Sequence, residues 1–243
     1  MPFNHDEFIR LITDYYDFCG HSFWNVPIHH APPGGWPSVT DDIIAKLDKN
    51  DVAAKLIRHL PYPEYNMDPN YVGDTPFVIE DTMLVDYRCE NIQNWVRGDG
   101  GYGIDPEKTP SHCVVIAMSL GTSGYYVVVD TKEGHVYWGD INGEHDEPEQ
   151  DLNEVLEEYE GDEDEDWRGG CNVYTPSDFF ALCKKRFIEM RWIGLGPTEI
   201  KSLRMNEEWG SDEEHNQMVD AIREAGWPGQ GYDKEKFIAI LNE

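Results

Sequence analysis

The chain has 243 residues, 40% of them hydrophobic and 12% aromatic, and sets 48 acidic side chains against 19 basic ones for a formal net charge of −29. That apolar content can build a core, which excludes a wholly disordered acidic protein, and the length suits one large domain or a domain with an appendage. The negative balance argues against nucleic acid and anionic lipid as partners and favours a basic protein or a divalent cation.

The first predicted element is a helix from about His5 to Phe18. Phe8, Leu11, Ile12 and Tyr15 recur at spacings of three and four and make one apolar stripe. Asn4 with Glu7 has the spacing of a capping box, and Gly20 is expected to end the helix. The Pro/Gly-rich stretch APPGGWP then forbids regular structure. Trp24 and Trp36 are expected to pin this loop to the domain, so residues 1–39 read as a helix and loop packed on the core. Thr40 caps a short helix, DDIIAKL. Asp51 restarts a helix whose stripe is Val52, Leu56, Ile57 and Leu60, and which Pro61 and Pro63 terminate.

After an irregular segment with aromatic staples, FVIEDTMLVDYRC and NIQNWV hold one or two strands. GDGGYG, residues 98–103, reads as a flexible loop. SHCVVIAMSL, GYYVVVDT and HVYWGD follow, broken by GTSG and by Lys132-Glu133-Gly134. Their β-branched and aromatic runs predict a three-strand meander around residues 114–138. Tyr137 and Trp138 point to opposite faces of their strand, so one of the two rings is expected to be exposed.

Residues 144–166 then carry fourteen acidic side chains and no Lys or Arg. Within this window DLNEVLEEY is helical, with Leu152, Val155, Leu156 and Tyr159 on one side, and GDEDEDWRGG is expected to be a mobile loop. Thr175 caps the next helix, with Pro176 at its first position and Phe179, Leu182, Cys183 and Phe187 as its stripe. From Pro197 on, the chain reads as a helical extension. Ser211 and Glu214 form a second capping box, Met218, Val219, Ile222 and Ala225 form a stripe, and a last helix holds Phe237, Ile238 and Leu241.

Candidate chemistry is sparse. Asp162, Asp164 and Asp166 have the alternate spacing of a calcium loop, but that loop needs Gly where Trp167 stands and Glu where Val173 stands. GDGGYG lacks the Lys-Ser or Lys-Thr of a phosphate-binding loop. His29 and His30 are adjacent, and so are His112 and Cys113. Neighbours on a strand diverge, so neither pair suits shared chemistry. The five cysteines (Cys19, Cys89, Cys113, Cys171, Cys183) are widely spaced and contain no CxxC. They read as buried thiols of a reducing compartment, cytoplasm or nucleus. MPFNHDEF shows no secretory pattern, and no apolar run reaches membrane-spanning length. No cofactor, metal site or catalytic residue is implied.

The stretch HCVVIAMSLGTSGYYVVVDTKEGHVYWGD resembles the core of the SMI1/KNR4 (SUKH) superfamily. A small-residue turn (117–124), a strand ending in Asp (126–130), the Gly134 turn and a strand ending in an aromatic (136–138) follow in that family's order. SDFFALCKKRF resembles its closing helix, while GGWPSVT and DVAAKLIRHLPYP resemble a fungal branch. The likeness covers roughly residues 40–192. Leu60-Pro61-Tyr62 matches the family's early motif, although no Asn-Gly follows it. The resemblance implies an α+β fold, a twisted and mainly antiparallel sheet with packed helices, spanning residues 40–196 here and continued by the helical extension of 197–243. It also implies a non-enzymatic binding protein with an immunity-like or signalling role. Combined with the charge, the expected function is recognition of a basic protein partner by Glu157, Glu158, Asp162, Asp164 and Asp166, with an exposed Trp138 as aromatic anchor. Two alternatives stand beside it: an intracellular hydrolase using Cys113 or a His near GDGGYG, and a structural or storage role in which acidity maintains solubility.

Overall fold

A computed structural model describes residues 3–66, 73–90, 109–119, 121–143, 148, 150–202 and 212–242. The NIQNWV segment, expected to contribute to a strand, and GDGGYG, expected to be a loop, fall outside this set. The fold is α+β. Its centre is a six-stranded sheet in the order β3-β4-β5-β6-β7-β8, every neighbouring pair antiparallel: β3 (Phe77–Ile79), β4 (Thr82–Leu84), β5 (Cys113–Ser119), β6 (Tyr125–Asp130), β7 (His135–Asp140) and β8 (Cys171–Tyr174). The predicted meander is the middle of this sheet, β5-β6-β7. Two small antiparallel pairs flank it: β1 (Ile28–His29) with β2 (Tyr62–Pro63), and β9 (Trp192–Gly196) with β10 (Glu199–Ser202).

The first helix, α1 (His5–Cys19), forms as its spacing requires. Asn4 accepts the Glu7 backbone N–H at 3.2 Å, and Phe8, Ile12, Tyr15, Tyr16 and Cys19 are buried. The α-helical stretch ends at Cys19 with Gly20 as its C-cap, as expected, but the chain does not leave the helical path there. The chain continues through a five-residue π turn (Gly20–Trp24) and stops at Asn25, whose φ of 58° is left-handed. A Cβ at Gly20 would lie 3.2 Å from the Val26 carbonyl oxygen, a contact tight enough that the neighbouring chain would have to shift. The turn delivers Trp24 into the core, where its Nε1 donates to the Phe77 carbonyl at 2.9 Å. Trp36 pins the Pro/Gly loop as expected, donating to the Leu60 carbonyl at 2.8 Å.

Helices α2 (Asp41–Lys46) and α3 (Asp51–His59) are capped by Thr40 and Asn50. Val52 is exposed, contrary to expectation, because the face of α3 turned to the core carries Ala53, Ala54, Leu56 and Ile57. α3 lies against β5, and its two alanines permit a close approach that a larger residue would prevent. Thr175 caps α4 (Pro176–Ile188), which packs on α1. Phe180 of α4 sits against Phe8 and Tyr15, with ring centroids 5.8 and 5.5 Å apart. Phe180 takes the fully buried position where the stripe predicted Leu182, which is only partly buried.

The segment after Pro197 starts as a strand, not a helix. β10 folds back on β9, the Pro197 carbonyl accepts the Phe77 N–H at 2.7 Å, and Ser202 Oγ meets the buried Glu80 at 2.5 Å. Those contacts tie the start of the extension to the edge of the main sheet. Helices α5 (Asp212–Glu224) and α6 (Lys234–Leu241) follow. Ile222, Ala225 and Phe237 are buried as expected, and Trp227 donates to the Phe187 carbonyl at 3.1 Å. Ser211 lies outside the described residues. Among the described residues no helix is long and apolar enough to cross a membrane.

Candidate functional site

Both faces of the central sheet are covered, and this decides where chemistry can sit. Antiparallel partners point the same way, so Cys113, Val128, Asp130, His135, Tyr137 and Val173 share one face, while Val129, Val136, Trp138 and Tyr174 share the other. On the second face Trp138 is enclosed by Tyr125, Phe179, Tyr174 and Trp192, at centroid distances of 5.0, 5.8, 6.2 and 6.0 Å. Only 1% of it is exposed. Trp138 is therefore a core residue, and the expectation of an exposed aromatic anchor is corrected. Tyr137 on the opposite face is equally buried. Alternation placed the two rings on opposite faces correctly. It could not show that the acidic segment folds back to cover the second of them.

That segment forms two consecutive 3₁₀ stretches, Asp151–Tyr159 and Glu163–Arg168. Leu152, Val155, Leu156 and Tyr159 turn inward together as their spacing predicted, but none is fully buried. Residues 161–170 were expected to be a mobile loop, and 163–168 within them are instead a docked 3₁₀ turn. Trp167 and Arg168 drive this: both are buried on the Tyr137 face. The Trp167 carbonyl accepts the Tyr126 hydroxyl at 2.6 Å, and Gly139 makes room, since a Cβ there would run into the Tyr126 ring. Outward from this anchor, Glu157, Glu158, Asp162 and Asp166 are exposed. The Asp164 side chain lies outside the described set. Between the first 3₁₀ stretch and the β8 edge is a cavity of ≈ 720 Å³, whose lining includes Asp151, Asn153, Glu154, Glu157 and Asn172 and, among the described residues, contains no Lys or Arg.

Arg168 is the hub beneath. Its Nη2 lies 3.3 Å from Asp130 Oδ2 and 3.8 Å from Cys113 Sγ, and its Nε donates to Glu165 at 2.7 Å. The guanidinium carbon sits 4.3, 4.2 and 4.3 Å from the ring centroids of Tyr137, Tyr159 and Trp167. Burial works against its charge, but Tyr137, Cys113 and Glu165 outweigh that, and its pKa is raised. Asp130 is wholly buried at the end of β6. Its Oδ1 accepts the backbone N–H groups of Lys132 and Glu133 at 2.8 and 2.9 Å, which sets the turn to β7. His112 Nε2 stands 3.5 Å from Asp130 Oδ2. Sequence alternation separated His112 from Cys113, but His112 precedes the strand and sits in a turn, so both side chains converge on Asp130.

The donor atoms of His112, Cys113 and Asp130 lie within 4.8 Å of one another, and these are donor types that zinc uses. The charge at this corner is already supplied by Arg168, and Lys49 adds a second cation beside Cys113. Burial pushes Lys49 down to about 8, with Cys113 and Asp48 acting against the shift. Asp130 and Cys113 thus read as the acceptor side of the Arg168 guanidinium, with His112 facing Asp130. Nor does the trio form a nucleophile and base. Burial first, then the Asp130 charge, pushes the Cys113 thiol up to about 12, and His112 faces the carboxylate. A nucleophilic cysteine shows the opposite shift. All five cysteines are free, four buried and Cys89 half-buried. Iodoacetamide at pH 8 is expected to modify Cys89 ahead of the other four, checked by peptide mass spectrometry; labelling of Cys113 ahead of Cys89 would revive the hydrolase reading.

Sequence reasoning missed β8, Asp130 and Arg168 as site elements. The available signal was one basic residue, Arg168, closing an otherwise purely acidic window beside Trp167. Compared with family models, curated proteins and solved structures, the chain matches none.

Proposed function

We propose that this chain is a non-enzymatic binding module of the SMI1/KNR4 type that recognises a basic protein through the acidic segment at the β8 edge. The observation that carries this reading is the cavity of ≈ 720 Å³ lined by Asp151, Glu154 and Glu157, continuous in sequence with exposed Glu158, Asp162 and Asp166. Carboxylates concentrated in a concave surface focus the field and speed encounter with a cation. The six-stranded sheet supplies a rigid platform for them. Trp138 has no part in this surface.

The test uses a lysine-rich peptide as probe and two variants of equal charge change. In one, Glu157→Gln, Glu158→Gln, Asp162→Asn and Asp166→Asn neutralise the segment. In the other, Asp17→Asn, Asp42→Asn, Glu213→Gln and Asp220→Asn neutralise exposed carboxylates elsewhere. In stopped-flow at low salt, the first set is expected to slow association about tenfold and to flatten its salt dependence, with a much smaller effect from the second. Equal effects from both sets would mean that the probe reads net charge alone, and the proposed site would fall.

A further inference from the structure

We infer that residues 151–168 form a detachable strap, latched to the sheet by Arg168, whose release uncovers the corner formed by His112, Cys113 and Asp130. This concerns how the chain holds its own acidic segment and does not depend on what binds there.

Three observations point to it. The first is backbone geometry. Asp151–Tyr159 is a nine-residue 3₁₀ run, and its hydrogen bonds are poorer than those of an α-helix, so runs beyond three or four residues are uncommon. No side chain in that run is fully buried; Leu152, Val155 and Leu156 rest on the core only partly covered, so the run is held by less apolar burial than the sheet beneath it. The second is how few anchors there are. Asn153 bridges to β8, its Oδ1 accepting the Val173 N–H and its Nδ2 donating to Asn172 Oδ1, each at 2.8 Å. The Trp167 carbonyl takes the Tyr126 hydroxyl. Cys171 Sγ on β8 also lies 3.6 Å from that carbonyl, and a further polar attachment among the described residues runs through Arg168, which binds Asp130 and contacts Tyr137 from the sheet while holding Glu165, Tyr159 and Trp167 of the strap.

The third is what docking leaves unsatisfied. Arg168 Nη1, Tyr137 Oη and Trp167 Nε1 are all buried without a hydrogen-bond partner. Each such group disfavours the docked state, and opening to water removes that penalty. Asp130 and Arg168 regain hydration at the same time. The docked strap is thus favoured by Trp167 burial and the Arg168 contacts, and opposed by its own desolvated polar groups. A segment balanced in this way opens below the free energy of global unfolding.

The test is hydrogen exchange of the full chain across sub-denaturing urea, combined with alkylation of Cys113, Cys19 and Cys183 followed by mass spectrometry. Amides of residues 153–168 are expected to exchange through an opening with little urea dependence. Cys113 should label at least about tenfold faster than Cys19 and Cys183, which are buried residues of α1 and α4. Arg168→Gln should speed both strap exchange and Cys113 labelling by about tenfold or more, leaving Cys19 and Cys183 unchanged, and Arg168→Lys should fall between. The inference is overturned if the strap and Cys113 open only together with Cys19 and Cys183, or if Arg168→Gln leaves strap exchange unaltered. It is overturned also if Arg168→Gln fails to fold, because Arg168 then holds the whole domain and not the strap.

Discussion

Trp138→Ala is expected to lose about 3–5 kcal/mol of folding stability, the usual consequence of removing a buried Trp from a packed core. Trp138 is 1% exposed and touches Tyr125, Phe179, Tyr174 and Trp192, so its removal opens a void between the sheet, α4 and β9. The surrounding rings come from four different elements and cannot all collapse inward together. Urea unfolding measures the effect as a lower midpoint at unchanged slope. Trp138→Phe keeps most of the volume and should lose much less. A stable Trp138→Ala protein with only a binding defect would restore Trp138 to the interaction surface and contradict the burial argument. Because total stability of a domain is of order 5–15 kcal/mol, the Ala variant is also expected to express poorly.

The second large effect is expected at Asp130. Asp130→Ala removes the partner of Arg168 and orphans the backbone N–H groups of Lys132 and Glu133 together. Breaking a buried ion pair from one side leaves an uncompensated charge, and the loss is about 3–5 kcal/mol. Glu165 still neutralises part of the guanidinium charge, and strap release lets water reach the rest, which places the expectation near the lower end. Asp130→Asn separates the contributions. The amide oxygen can still accept the two turn N–H groups, so only the charge interaction is lost, and about half the destabilisation should remain. If Asn and Ala destabilise equally, Arg168 accounts for the whole effect. If Asn is neutral, Asp130 serves the turn alone and the Arg168 contact is incidental.

These two sites show how the meander could be placed correctly and still be misjudged. Strand periodicity reports which face a side chain occupies. Whether that face is wet depends on segments far along the chain. The helices were legible for a related reason. Their stripes and caps are local, and Asn4, Thr40 and Thr175 each accept the N–H expected of them. Val52 went wrong because α3 has two alternative apolar edges, and the closeness of β5 selected the alanine one. β8 was invisible because CNVY is short and follows two glycines, and it is a strand only by pairing with β7. The π turn at Gly20 likewise exists to carry Trp24 to the Phe77 carbonyl, a partner 53 residues away.

The acidic surface divides along the same line. Its charge, and the inward side of residues 152–159, could be read from residue order. Its attachment could not, because Arg168 looks like the end of a solvated loop until Asp130, Tyr137 and Glu165 are placed around it. The primary structure by itself determined the central meander, the capped helices and a concentrated negative charge, since each depends on periodicity, capping chemistry or composition within a short window, while the α+β class was what the family resemblance implied. Only the tertiary structure decided that both sheet faces are covered, that Trp138 is core, and that one buried guanidinium ties the acidic segment down. Burial and ion pairing are set by groups that meet from opposite ends of the fold, and no local pattern encodes their distance.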